Sequence, residues 1–264
     1  MLLVGLAMLT MASVQWLGAP FYGTGALYTD TASVPSNTFS TAADFGGGGG
    51  IQFVKNVGSD QCGDTSSTVT VPSVGVASGN TLVVAFVVRK TGGVGGTVSV
   101  ADSGSNTYAI DVDIADSSDQ VRTVILSANI GTALVQGDTI TVTHPTGSSL
   151  GAVVDEFSGI ASSSWVDDTG SGEGNSSTPS ASATTTNADD LLYGAVGSHN
   201  KKIYTEAASW TTLTHLVMDC GGAPAEANNH TAYRIVSATG SYTFDPTVDV
   251  GDKWAAAIAA YKGE

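Results

Sequence analysis

"TLVVAFVVR", residues 81–89, is the stretch on which the fold turns. Its apolar run from Leu82 to Val88 is unbroken. That is too short to cross a membrane as a helix, which takes about 20 residues. The run is rich in β-branched side chains and lies between "SGN" (78–80) and "KTGG" (90–93), both turn-forming. A strand that is apolar at every position must be covered on both faces. The segment therefore reads as a central strand in a layered β-protein.

The flanking sequence extends this reading. Short β-rich runs recur along the chain, separated by Gly, Asn, Asp and Ser clusters: "STVTV" (67–71), "TVSVA" (97–101), "RTVILSA" (122–128), "TITVT" (139–143), "GAVVDEF" (151–157), "LLYGAVGS" (191–198) and "HTAYRIV" (230–236). "TVSVA" and "TITVT" alternate apolar and polar residues, as half-buried strands do. The alanines of "KWAAAIAAYK" (253–262) would suit a helix. Its W-x-A-x-I-x-A alternation after the turn-like "DVGD" makes it a closing core strand, with Trp254 in the core. Strands nowhere alternate with helical patterns, which excludes a parallel α/β sheet. The expected fold is all-β, an antiparallel β-sandwich of jelly-roll type, in a single copy over residues 51–264. The Ser/Thr/Gly-rich segment 169–190 reads as a surface loop or a weakly paired edge.

Composition narrows the function classes. Charged residues make up 12% of the 264-residue chain, and 24 acids against 9 bases leave a net charge of −15. Such a surface repels phosphate backbones, so nucleic acid is not an expected partner. The low charge and the Ser/Thr/Gly/Val bias suit an exported β-protein. In that setting Cys62 and Cys220 form a disulfide; two buried thiols are the alternative.

Residues 1–26 begin with an uncharged hydrophobic stretch that fits an export signal cleaved after Ala26, the alternatives being an uncleaved membrane anchor or a hydrophobic segment retained in an assembly. Residues 27–50 then form an arm ending in the flexible "GGGGG" (46–50). "GTGALYTDTASVPSNTFSTAADF" resembles the start of the TasA/camelysin family of exported fibre proteins. The match is carried by Gly23, Thr24, Ala26, Tyr28, Asp30, Thr31, Asn37, Thr38 and Phe39. Tyr28 stands where the family usually has Phe, and a basic start is missing. The remainder, from "SGNTLVVAF" through "VVDEFSGI" to "WAAAIAAYK", resembles a β-sandwich module of bacterial surface and phage-tail-like proteins. These resemblances imply a secreted, non-catalytic structural subunit at the cell surface or in an extracellular filament. Its arm would complete the sheet of a neighbouring copy, with Val34, Phe39 and Phe45 as anchors, building a head-to-tail homopolymer.

Two other classes stay open. A carbohydrate- or receptor-binding module would use an aromatic surface, for which Trp210 and Tyr204 are the candidates, against cell-surface glycans. A hydrolase would use "GSSLG" (147–151), with Ser149 in a G-x-S-x-G pattern, but that chemistry needs a strand-to-helix turn and no helix follows. Asp155 and Glu156 sit on opposite faces of one strand, where Arg89 or Arg122 could pair with a buried acid. His144, His199, His215 and His230 lack the short spacing of a zinc site and read as scattered loop residues. Asp111, Asp113, Asp116 and Asp119 are weak calcium candidates; Asp111 and Asp113 would share a strand face and the other two the following turn. Asp245, Asp249 and Asp252 form a second acidic cluster. No other cofactor is expected. Asn175 and Asn229 lie in glycosylation sequons.

Overall fold

The computed structural model describes residues 50–221 and 226–264. The hydrophobic start, the arm and Val34, Phe39 and Phe45 lie outside the described residues. Every assigned element is a strand. The first eight are β1 (Gln52–Gln61), β2 (Ser66–Thr70), β3 (Thr81–Arg89), β4 (Ser99–Asp102), β5 (Ala109–Ala115), β6 (Val121–Asn129), β7 (Thr139–Thr143) and β8 (Ser149–Ser158). There follow β9 (Val166–Ser176), β10 (Ala181–Thr185), β11 (Asp189–Ser198), β12 (Tyr204–Thr205), β13 (Thr211–Met218), β14 (Ala227–Ser237), β15 (Gly240–Phe244), β16 (Thr247–Val248) and β17 (Asp252–Lys262). All pairings are antiparallel.

Two five-stranded sheets, β1-β8-β3-β6-β5 and β13-β14-β11-β17-β9, form the middle layers. The sheet β2-β7-β4 covers the first on its outer side, and β10-β15 with β12-β16 covers the second. Three large apolar cores fill the gaps, with a small fourth cluster of Val87, Met218 and Ala227 beside Cys220. Leu82, Val84, Phe86 and Val88 face the outer sheet with Ile140 and Val142. Val83 and Ala85 face the other way, towards Tyr193, Ala257 and Tyr261 of the second large sheet. Leu192, Ala256, Ile258 and Phe244 form the third core. β3 is buried at all positions because it lies between two of these cores, as its sequence demands. β17 is likewise a core strand, its two faces serving the second and third cores. Its alanines and Gly194 let layers approach closely. A Cβ on Gly194 would lie 2.5 Å from the Phe244 ring.

The chain holds the same fold twice, where the sequence reading has one copy. Matching β1 to β9, β2 to β10, β3 to β11, β4 to β12, β5 to β13, β6 to β14, β7 to β15 plus β16, and β8 to β17 converts the first large-sheet order into the second. Even a bulge repeats. It falls between Ile110 and Val112 in β5, and between Thr212 and Thr214 in β13. The contacts between the large sheets exchange under the same matching: β5 lies on β9 and β1 on β13, β6 lies on β17 and β8 on β14. This is the pattern of an isologous contact, as in a two-fold dimer, made within one chain. Residue identity is not kept between the halves: Ile125 answers to Thr231 and Val112 to Thr214.

Polar ties cross the central layer. Asn229 Nδ2 donates to the Ala85 carbonyl at 2.9 Å, Thr123 Oγ1 to the Ala255 carbonyl at 2.8 Å, and Trp165 Nε1 to Ser127 Oγ at 2.9 Å. Register is continuous in the central pairs, whereas the pairs made by edge strands β1, β5, β9 and β13 all carry a shift. Bulges at edges twist the exposed ladder and hinder uncontrolled pairing.

Candidate functional site

Cys62, just after β1, and Cys220, just after β13, form a disulfide with Cα atoms 5.0 Å apart. It joins the two repeats across a separation of 158 residues. Closing so long a loop removes about 5 kcal/mol of unfolded-state entropy in the simplest chain model.

The acidic candidates are placed apart. Asp111 is the bulged residue of β5 and accepts a hydrogen bond from Tyr261 Oη at 2.7 Å. Burial raises its carboxyl to about 6, against the hydrogen bonds from Ser127 and Tyr261. Asp113 instead forms a two-pronged pair with Arg122, at 2.7 and 2.5 Å. The bulge breaks the alternation, so the two do not share one polar site. Asp116 accepts the backbone N–H groups of Ser118, Gln120 and Val121, and Asp119 that of Val94. These acids organise turns. In the later cluster, Asp252 contacts Lys202 and Asn200, and Asp249 accepts from the Ile203 N–H. Among the described residues no group of three or more His, Cys, Asp or Glu is placed to hold a metal.

The hydrolase residues are not assembled. Ser149 is fully buried at the start of β8, opposite Arg89, with no helix after it. Asp155 and Glu156 do face opposite ways, and both are buried. Asp155 accepts from Tyr193 Oη at 2.8 Å and Asn56 Nδ2 at 2.9 Å. Glu156 pairs with Lys55 and accepts from Asn80, so neither arginine is its partner. Asn229 is fully buried, which bars glycosylation in the folded protein; Asn175 is exposed on β9. The segment 169–190 contributes most of β9, an edge strand, and β10, not one long loop.

Trp210 is a core residue rather than a ligand platform. It is 8% exposed, packs on Phe244 at 4.8 Å and donates Nε1–H to the Thr243 carbonyl at 3.1 Å. Tyr204 belongs to a different arrangement, which the sequence reading missed. His215 and His230 are directly opposed on β13 and β14, not scattered in loops. Their Nδ1 atoms are 3.3 Å apart. His230 Nε2 lies 3.0 Å from Glu206 Oε2, which also accepts from Thr212 Oγ1 at 2.7 Å. Asn228 Nδ2 lies 3.1 Å from His215 Nε2, and the Tyr204 ring stacks on His230 at 4.4 Å. One proton assignment satisfies the chain with neutral rings: Asn228 donates to His215, His215 to His230, and His230 to Glu206.

The surroundings shift two of these groups. Burial tends to raise Glu206, but the hydrogen bonds from His230 and Thr212 outweigh it and hold the carboxyl below its ordinary value. Burial and the neighbouring His230 lower His215, against a hydrogen bond to the Lys202 backbone. The cluster opens to solvent through a groove of about 370 Å³ lined by Lys201, Ile203, Tyr204, Thr212, His215 and Val217, among others. The other two histidines are isolated from it: His144 stacks on Phe86, and His199 lies beside Arg89. The only sequence sign of the pair is the presence of two histidines on neighbouring β-patterns; their register cannot be read without the bulge.

No family model matches the chain, and no significant match is found among curated proteins or solved structures.

Proposed function

We propose that this chain is an exported, non-catalytic structural protein of the cell surface or an extracellular filament. The single observation that carries the reading is the disulfide between Cys62 and Cys220, a cross-link suited to an oxidising compartment. The low charge content and the resemblance of residues 23–45 to the start of TasA/camelysin fibre proteins support it. Each repeat is of jelly-roll type, in support of which the order β1-β8-β3-β6 faces β2-β7-β4. The arm, residues 27–45, adds as a strand to a neighbouring copy and builds a head-to-tail homopolymer. Of the four edge strands, β9 offers a ladder without a register shift from Asp168 to Ser176, which suits it as the acceptor.

Electron microscopy of the purified chain tests this. The full chain should form filaments, and deletion of residues 27–45 should leave monomers. Filaments that survive the deletion would refute strand addition by the arm.

The groove beside Tyr204 favours a second reading, a secreted binding module for surface glycans, because it joins an aromatic ring to carboxylate, hydroxyl and imidazole groups. Glycan-array binding that is lost in Thr212→Ala and His215→Ala would support it.

A further inference from the structure

The internal duplication supplies its own control for the histidine cluster. Counting from the shared bulge, Val112 pairs with Ile125 and Asp113 with Val124 in the first repeat. In the second, Thr214 pairs with Thr231 and His215 with His230. His230 therefore occupies the position of Val124, a fully buried core residue of the first repeat. His215 occupies that of Asp113. One half fills this site with a methyl-bearing side chain. The other has a 2%-exposed imidazole backed by a carboxylate. Packing alone asks only for the valine solution, and a buried polar group costs stability unless fully hydrogen-bonded. The substitution thus points to a role that the first repeat lacks.

We infer that His215 and His230 form a binding site for a late first-row divalent cation such as Zn²⁺, Ni²⁺ or Cu²⁺, held between their Nδ1 atoms. Two nitrogens of a tetrahedral centre with bonds of about 2.0–2.1 Å lie about 3.3–3.4 Å apart. The observed separation is 3.3 Å. Glu206 accepts from Nε2 of His230 and so leaves the Nδ1 lone pair facing His215. This is the carboxylate–imidazole support that orients many metal-bound histidines. Cation binding moves the His215 proton to Nε2, where the Lys202 backbone accepts it in place of the Asn228 contact; the Nδ1 lone pair then faces inward, and the cation takes the place of the proton between the rings. Imidazole donors suit these metals better than calcium or magnesium. With only two protein ligands the remaining positions belong to water or to a ligand in the groove, which opens beside His215. The site is independent of the filament reading, since it uses neither the arm nor an edge of β9.

The test uses the full chain with Cu²⁺ or Zn²⁺ alone. Titration calorimetry should give one equivalent bound, and the Cu²⁺ spin-resonance spectrum should show coupling to two nitrogens. His215→Asn and His230→Ala should each weaken binding at least tenfold, while His144→Ala and His199→Ala leave it unchanged. Because His215 is exposed, His215→Asn keeps the test valid if His230→Ala does not fold. Glu206→Gln should weaken binding about tenfold, the scale of supporting-shell losses. Binding that is absent, or equally tight in His215→Asn, would overturn the inference.

Discussion

Asp155→Asn should flatten part of the pH dependence of stability, and the structure supplies the size of the effect. Asp155 is fully buried between the two large sheets. Burial raises its carboxyl from 3.8 to about 6, more than the hydrogen bonds from Asn56 and Tyr193 lower it. A carboxyl raised in the folded state favours folding while it is protonated. Its contribution is complete below the unfolded value near 3.8 and is lost as the pH rises to and past about 6. The difference between those values, at 1.36 kcal/mol per pH unit, is about 3 kcal/mol. Asparagine cannot ionise, keeps the volume, and still accepts from one donor. Its amide can donate to Tyr193 Oη, which accepts as readily as it donates. Urea unfolding of both proteins from about pH 4 to about pH 8 checks this. The stability of Asp155→Asn relative to wild type should rise by about 2.4 kcal/mol across that range, the rest of the effect lying below about pH 4. Asp111, also raised to about 6, is present in both proteins and cancels in the comparison. A stability difference that stays constant with pH would refute the reasoning.

Two further perturbations test the fold. The double variant Cys62→Ser/Cys220→Ser should lose about 2–5 kcal/mol in denaturant titrations, since it frees a 158-residue separation across the repeat interface. Gly170→Ala should destabilise by about 3 kcal/mol or more, because its Cβ would lie 1.8 Å from the Ser182 carbonyl oxygen where β10 crosses β9. Gly95→Ala, with nothing within 4 Å of its Cβ, should stay within about 0.5 kcal/mol of wild type in the same assay.

What was legible in the sequence follows from how locally each feature is specified. β3 and β17 bury both faces, so their unbroken apolar runs stand out, and β6 and β8 keep shorter apolar runs around buried polar residues. β9 does not, because its "GSGEGN" pattern is set by close approach of β10 rather than by side-chain burial. Trp210 looks like a surface aromatic among Ser and Thr, yet its indole fills the third core. The histidine pair depends on a bulge at Leu213, and a one-residue change in register reverses which side chains meet. The duplication escaped because the matched strands preserve burial, not residues: Val124 answers to His230 and Phe157 to Tyr261.

That same loss of identity makes the second repeat informative. The two halves share strand order, bulge position and a reciprocal interface, so their backbones pose the same packing problem at equivalent sites. Where both answers are apolar, as with Phe157 and Tyr261 in the central core, packing accounts for the residue. Where one answer is Val124 and the other is His230, packing does not. The imidazole is tolerated because Glu206 and His215 engage its two nitrogens, with Thr212 and Asn228 completing the chain. A network fully bonded in this way offsets its desolvation cost and holds each ring in one orientation. The exchange of Val124 for His230 lies where the second repeat opens to the groove, while the repeats are joined by an apolar core crossed by a few polar ties and by the disulfide. On the cation-site inference, the first repeat keeps the apolar solution at this position and the second carries the ligand site.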